Sequence, residues 1–426
     1  MADSPTIGTS RWAREIADAL TADPRFAAAT QTWEGVLAVR GERTAPGVAF
    51  QIHKGSVRAV DDRIDGDETF AFVVPPAVWE RLLAAGENRY MHEAMGGAFS
   101  VVGSGYEYLR MTKPLAYLVD AARQVAGVAE PAPHAPPTSV PPPAPRWSVQ
   151  GSYLFLNGSL GYAEIGEPAG PARATVLLLH TAGQSGVQYR RVVPRLTALG
   201  YRTITPDYPG HGRSEPAAAG PVTDLGDFAA WLVQVIDALD PADAPLVVAG
   251  CSIGGKLTLD LATRLGSRLA GAVAMAASAD AGRANRKALL RELEDVAAPS
   301  RTDRTHLGTR AVVGDAVPAE VRELIATMHR REDPVISNSD LLGWTSHDLT
   351  GRLADIRCPV LLVGGADDLW LDLEAMRRSA DAIPNGRSVV LEGIGHYPPQ
   401  ELPDFADRLH AWIEPWLGGG DDEHAR

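Results

Sequence analysis

The chain has 426 residues, 45% of them apolar, more than one hydrophobic core usually serves, so two globular domains are expected. It carries 53 acidic against 40 basic side chains, a formal charge of −13. That balance repels phosphate backbones and anionic lipid, which argues against nucleic acid or a membrane surface as a main partner.

Only two cysteines occur, Cys251 and Cys358. Neither lies in a paired or metal-like spacing, so no disulfide framework, metal site or cofactor is expected. The start of the chain lacks the basic segment and apolar run of a signal peptide. No apolar run approaches the ~20 residues that span a bilayer. A soluble, cytoplasmic protein is expected.

Residues 1–128 form a first block. "RWAREIADAL" has helical periodicity, and "GVAFQIHKGSVRAVDD" reads as strand, turn, strand. "ETFAFVVPPAVWERLLAAG" reads as a strand and a helix, "GAFSVVGSG" as a strand, and "PLAYLVDAARQVA" as a closing helix. Strands and helices in runs predict an α+β domain. Residues 129–146 are too proline-rich for helix or sheet and predict an extended linker.

Residues 147–417 alternate strand and helix. Near-continuous apolar runs at 174–180, 201–207, 245–250, 270–277, 359–365 and 387–393 suit strands buried on both faces of a parallel sheet. Helical patterns between them predict an α/β domain. Residues about 280–345 add no strand. "ANRKALLRELEDVA" and "PAEVRELIATMHRRED" read instead as helices of a lid over a pocket. Residues 418–426 read as a disordered tail.

One short stretch carries most of the chemistry. Gly250-Cys251-Ser252-Ile253-Gly254 follows a strand pattern and opens a helix pattern. A serine on so sharp a turn needs small flanking residues, and the turn lifts its hydroxyl above the sheet edge beside the Ile253 N–H. Cys251 then points away and packs as a small hydrophobe.

A serine hydroxyl is a weak nucleophile that needs a base, and the base needs an orienting acid. "PVLLVGGADDLW" ends a strand with two aspartates. Asp368 is the preferred acid and Asp367 the alternative. "VVLEGIGHYPPQ" offers His396 as the base, after the last strand. His211, in a glycine-rich loop, reads as structural, and His329 and His347 fall in the lid. The loop "LLLHTAGQSG" is expected to supply an oxyanion donor at Ala182, with Thr181 next, alongside Ile253. Thr181, Trp344, Trp370 and Tyr397 are candidate pocket residues.

With these motifs in order, residues 147–416 resemble an α/β-hydrolase-fold enzyme. The likeness rests on "LLLHTAG", "DYPGHGRS", "GCSIGG", "GGADD" and "GIGHYPP". It implies a mostly parallel sheet with a helical lid and a Ser252–His396–Asp368 triad. It departs from the family's usual His-Gly pair in the oxyanion loop, where His180-Thr181 stands. Residues 33–125 resemble a sterol carrier protein 2-like domain, which implies a five-stranded sheet and a site for a lipophilic molecule.

Together these readings predict a serine hydrolase acting on an ester or lactone of a lipophilic small molecule. The alternatives on the same residues are amide or carbamate cleavage, acyl transfer and carbon–carbon hydrolysis. A non-catalytic ligand-binding protein is the reading from another class. A homodimer through the first block is a further expectation.

Overall fold

The computed structural model describes residues 7–60, 68–128, 148–240, 244–284, 287, 289–290 and 300–417. The linker expected at 129–146, the tail at 418–426 and most of the helix expected at 284–297 lie outside these residues. The chain divides into two compact units, Met1–Pro133 with Asp303–Val312, and His134–Thr302 with Val313–Arg426.

The first unit holds a five-stranded sheet of β1 (Glu34–Arg40), β2 (Val48–His53), β3 (Ser56–Val60), β4 (Phe70–Val73) and β5 (Ser100–Gly103), in the order β3-β2-β1-β4-β5. Helix Ser10–Ala22 buries Trp12, Ala13, Ile16, Ala17 and Leu20, the i, i+4, i+8 stripe of an amphipathic helix. Its Trp12 meets Trp79 edge-on at 5.7 Å. Phe72 meets Phe99 at 4.7 Å and Tyr90 at 5.9 Å. Helix Thr112–Val125 carries the fully buried Arg123. Its guanidinium donates to the Leu82 and Ala85 carbonyls, two acceptors left open at the end of helix Pro76–Ala84. Strand β1 and three short helices were not legible in the sequence, because none gives a long periodic run.

The second unit is built on an eight-stranded sheet. Its strands are β6 (Ser148–Leu156), β7 (Ser159–Glu167), β8 (Thr175–Leu179), β9 (Arg202–Asp207), β10 (Leu246–Cys251), β11 (Leu269–Met275), β12 (Val360–Gly365) and β13 (Gly386–Leu391). The order is β13-β12-β11-β10-β8-β9-β7-β6. All pairs from β9 to β13 are parallel, while β7 runs antiparallel to both β9 and β6. Every residue of β8 and β10 is buried, which is why these strands read as unbroken apolar runs.

The β6–β7 hairpin was not among the expected strands. It turns at Asn157 and Gly158, with φ of 52° and 84°, the geometry of a tight hairpin turn. Its outer face leaves Tyr153 and Phe155 exposed, so its sequence alternates instead of running apolar.

Chain direction decides where a ligand can sit. After β8 the chain crosses to β9 on one side, and later enters β10 on the other. The loops leaving β8 and β10 therefore diverge and open a crevice at the strand ends. Residues 180–186 and Ser252 occupy those two loops.

Candidate active site

Strand β10 ends at Cys251 and helix Ile253–Leu265 begins one residue after Ser252. Ser252 takes up the whole change of direction, at φ 59° and ψ −118°. Such a backbone in a non-glycine residue costs on the order of 1–3 kcal/mol and survives only where its surroundings enforce it. They do so here. The Ser252 N–H donates to the Met275 carbonyl at 2.9 Å, and the Ser252 carbonyl accepts from the Lys256 N–H at 3.0 Å. A Cβ on Gly250 would strike the Gly254 carbonyl, and one on Gly254 the Leu179 carbonyl. The small flanking residues are thus demanded by backbone running against backbone.

Cys251 is fully buried and free. Its Sγ donates to the His396 carbonyl at 3.2 Å, and burial pushes its thiol well above the usual range. It is inert as a nucleophile and braces the loop that carries His396.

His396 lies beyond β13. Its Nε2 is 2.9 Å from Ser252 Oγ and its Nδ1 is 2.7 Å from Asp368 Oδ2. The carboxylate requires Nδ1 to carry the proton, which leaves the Nε2 lone pair facing the serine hydroxyl. The Asp368 carboxylate is fully buried, and its second oxygen accepts the Trp370 and Leu371 N–H groups at 2.8 and 3.2 Å. Asp367 faces elsewhere. Its carboxylate accepts the Asp315 N–H at 2.7 Å and so ties the lid segment to the sheet edge.

The loop after β8 presents three successive N–H groups. Thr181 donates to Gln188 Oε1 at 2.9 Å, and Gly183 donates to Asp340 Oδ2 at 2.8 Å. Among the described residues Ala182, between them, has no acceptor for its N–H, and neither has Ile253 at the helix start. Thr181 is therefore committed to holding the loop, while its buried Oγ1 has no partner. His180 stacks on Tyr208 at 3.8 Å, and burial pushes its imidazole well below the usual range. Neutral, it donates from Nδ1 to the Thr181 carbonyl and accepts the Tyr208 N–H at Nε2.

The remaining pocket candidates separate. Trp370 meets the His396 ring edge-on at 5.0 Å, and Tyr397 does so at 5.1 Å. Trp344 packs on Gly282 at the lid stem, where a Cβ would hit its ring, and against the apolar core.

Several residues at the site carry no sequence signal. Glu401 is buried and accepts three backbone N–H groups, from Gly395 at 2.6 Å, Tyr397 at 2.9 Å and Gly314 at 2.9 Å. Two of these donors flank His396 and the third belongs to the lid segment. Burial pushes the Glu401 carboxyl up to about 7 against the pull of those bonds.

Lys256 donates to the carbonyls of Asp280 and, at 2.9 Å, His347. It thereby staples together the two stems of the lid, and burial pushes its amine down to about 8. Asp260, one turn further on, is also buried. Burial would raise its carboxyl, but His347 and Arg264 bring it down to about 2. His211 pairs with Asp340 at 2.8 Å, both side chains fully buried. Burial alone would lower this imidazole, and the facing carboxylate raises it. Several of these partners lie far apart in the chain, Gly314 and Glu401 by 87 positions and His211 and Asp340 by 129, and no sequence pattern pairs them.

Among the described residues no group of three His, Cys, Asp or Glu could hold a metal ion. Among the same residues no helix is long and apolar enough to cross a membrane.

A profile of the alpha/beta hydrolase family matches residues 176–408. The human putative protein-lysine deacylase ABHD14B is 37% identical over 131 residues, 30% of this chain. The chain spans 58% of the length of that relative and of its Pongo abelii counterpart. The pimeloyl-[acyl-carrier protein] methyl ester esterase of Aromatoleum aromaticum is 30% identical over 54% of this chain and 94% of its own length. A thermophilic esterase from Thermogutta terrifontis superposes with a TM-score of 0.56 at 23% identity, covering 63% of this chain and 99% of that one. At that identity the superposition speaks for the fold alone. The profile covers more than half of this chain, and the Aromatoleum relative matches over nearly its whole length. The chain belongs to the alpha/beta hydrolase family.

Proposed function

We propose that this enzyme hydrolyses a carboxylic ester or lactone of a lipophilic small molecule through an acyl-enzyme on Ser252. One observation carries the reading. An unbroken line of hydrogen bonds runs from Ser252 Oγ through His396 to Asp368, beside two N–H groups that lack acceptors.

In this reading Ser252 Oγ attacks the ester carbonyl carbon as its proton passes to His396 Nε2. The carbonyl π pair moves onto oxygen, and that oxyanion is held by the Ala182 and Ile253 N–H groups. Asp368 stabilises the imidazolium through Nδ1–H. The tetrahedral centre collapses, the C–O bond to the alcohol breaks, and His396 gives the leaving oxygen its proton. Water then attacks the acyl-enzyme with His396 again as base, releasing acid and Ser252. Trp370 and Tyr397, against His396, supply the apolar wall. The Aromatoleum relative is an ester hydrolase, whereas ABHD14B is a putative protein-lysine deacylase, so amide cleavage by the same residues stands as the second reading.

Residues 33–125 resemble a sterol carrier protein 2-like domain, and we assign the block 1–128 a supporting role, holding lipophilic ligand or pairing two copies.

The test is labelling with a fluorophosphonate probe. Wild type is expected to label, and Ser252→Ala and His396→Ala are expected not to. Equal labelling of Ser252→Ala would place the nucleophile elsewhere and overturn the reading.

A further inference from the structure

A second histidine–carboxylate pair lies in the lid, and the reaction as derived does not use it. His329 closes helix Ala319–His329 and is 4% exposed. Its Nδ1 is hydrogen-bonded to the Glu332 carboxylate. The same carboxylate accepts Gln184 Nε2 at 3.2 Å and Ser337 Oγ at 2.8 Å. It lies so close over Gly183 that a Cβ there would strike it. Glu332 therefore grips the loop that contains Ala182. On its other side the His329 ring packs on Tyr397 at 4.7 Å, and Tyr397 packs on His396. His329 is thus wedged between the oxyanion loop and the His396 loop.

Its free nitrogen is the unexplained part. His329 Nε2 is buried without a partner, and so is Gln400 Oε1. The other end of the Gln400 amide lies 3.6 Å from Met328 Sδ, beside His329 in the chain. Because Glu332 takes the Nδ1 proton, Nε2 offers a lone pair. Both orphaned atoms are acceptors, and a buried acceptor left empty costs on the order of 1–3 kcal/mol. A site with two of them suits a ligand that brings a donor.

We propose that His329 and Gln400 form a polar subsite between the oxyanion and His396 loops, which accepts a hydrogen bond from an O–H or N–H of the substrate. This rests on the serine-hydrolase reading above and narrows it. The preferred esters or lactones carry a hydroxyl or amide N–H within a few atoms of the scissile carbonyl. Glu332 is a positioning residue that sets the His329 tautomer and shares its carboxylate with the oxyanion loop. The subsite exists only while the lid segment is docked, so recognition of the donor and assembly of the oxyanion loop are coupled.

The experiment compares methyl octanoate with methyl 2-hydroxyoctanoate and methyl 3-hydroxyoctanoate. For wild type, kcat/KM for at least one hydroxy ester is expected to exceed that of the plain ester by about 10-fold, the worth of one buried hydrogen bond. In His329→Phe, which keeps a ring against Tyr397, the ratio is expected to fall to near one. His329→Gln, which keeps an acceptor, retains part of the preference, and circular dichroism checks each variant's fold. The same three esters are titrated calorimetrically into Ser252→Ala and into Ser252→Ala/His329→Phe. If wild type turns over none of them, fluorophosphonate labelling decides the serine reading, and the calorimetric preference alone decides the subsite. Equal hydroxy-to-plain ratios with and without His329, in turnover or in binding, overturn the proposal.

Discussion

At Ser252 a single backbone angle separates two neighbouring reactive residues. The left-handed turn swings the serine hydroxyl toward His396 and sends Cys251 into the core, where its thiol donates to the His396 carbonyl. The G-x-S-x-G pattern made that choice legible, because the steric demand lies within five residues. The preference for Asp368 over Asp367 rested on register alone, three residues beyond the glycine that ends the strand. Adjacent carboxylates look alike in sequence, and only the direction of each side chain tells them apart. Asp368 reaches His396, whereas Asp367 holds the Asp315 N–H. Asp368→Asn is accordingly expected to lower kcat by about 10⁴-fold, by removing the charge that stabilises the imidazolium. Asp367→Ala is expected to cost no more than about 10-fold. Steady-state kinetics on one ester would read both, and a larger loss in Asp367→Ala would reverse the roles.

Among the elements, the central strands β8 and β10 were readable because burial on both faces writes itself as unbroken apolar runs, while the edge strand β13 was read from its short Val389-Val390-Leu391 run. The β6–β7 hairpin was missed for the opposite reason, although its Asn157-Gly158 turn was in view. The short helix Pro398–Glu401 shows what periodicity cannot convey. Glu401 is its last residue, and it fastens the N–H groups on both sides of His396 together with Gly314 of the lid segment.

This carboxyl is pushed up to about 7 by burial, above its ordinary value near 4.5. A raised carboxyl contributes stability that is fully present below about pH 4.5 and is lost as pH rises through about 7. Glu401→Gln is free of that loss. It is expected to gain on wild type by up to about 3 kcal/mol between pH 4.5 and pH 8, read from urea midpoints across that range. A pH-independent difference between the two proteins would show that Glu401 keeps an ordinary carboxyl. The substitution also puts an amide where three donors converge, so loss of kcat with KM little changed is expected from a loosened His396.

Over the whole molecule, the two units make different demands on the reader. The first closes on an aromatic core, with Trp12, Trp79, Phe50, Phe72 and Phe70 all buried. Deleting residues 1–130 tests its supporting role. A fall in molecular mass from dimer to monomer by light scattering, or a loss of activity on long-chain esters, is the expected outcome. Unchanged mass and activity would remove both roles.

The sequence by itself determined the alternation of strand and helix, the strained corner at Ser252 and the histidine that follows the last strand. Each of these is written in neighbouring residues, through steric fit or burial of a continuous run. The tertiary structure alone decided what holds Asp367 away from His396, why the Thr181 N–H is taken up and, among the described residues, the Ala182 N–H is not, and how Glu332, Asp340 and Glu401 join residues 314–340 to the loops that carry Ala182 and His396. Those bonds join residues that the chain separates by up to 157 positions. A single polar side chain meeting a distant backbone N–H has no period, no neighbour pattern and no composition to announce it.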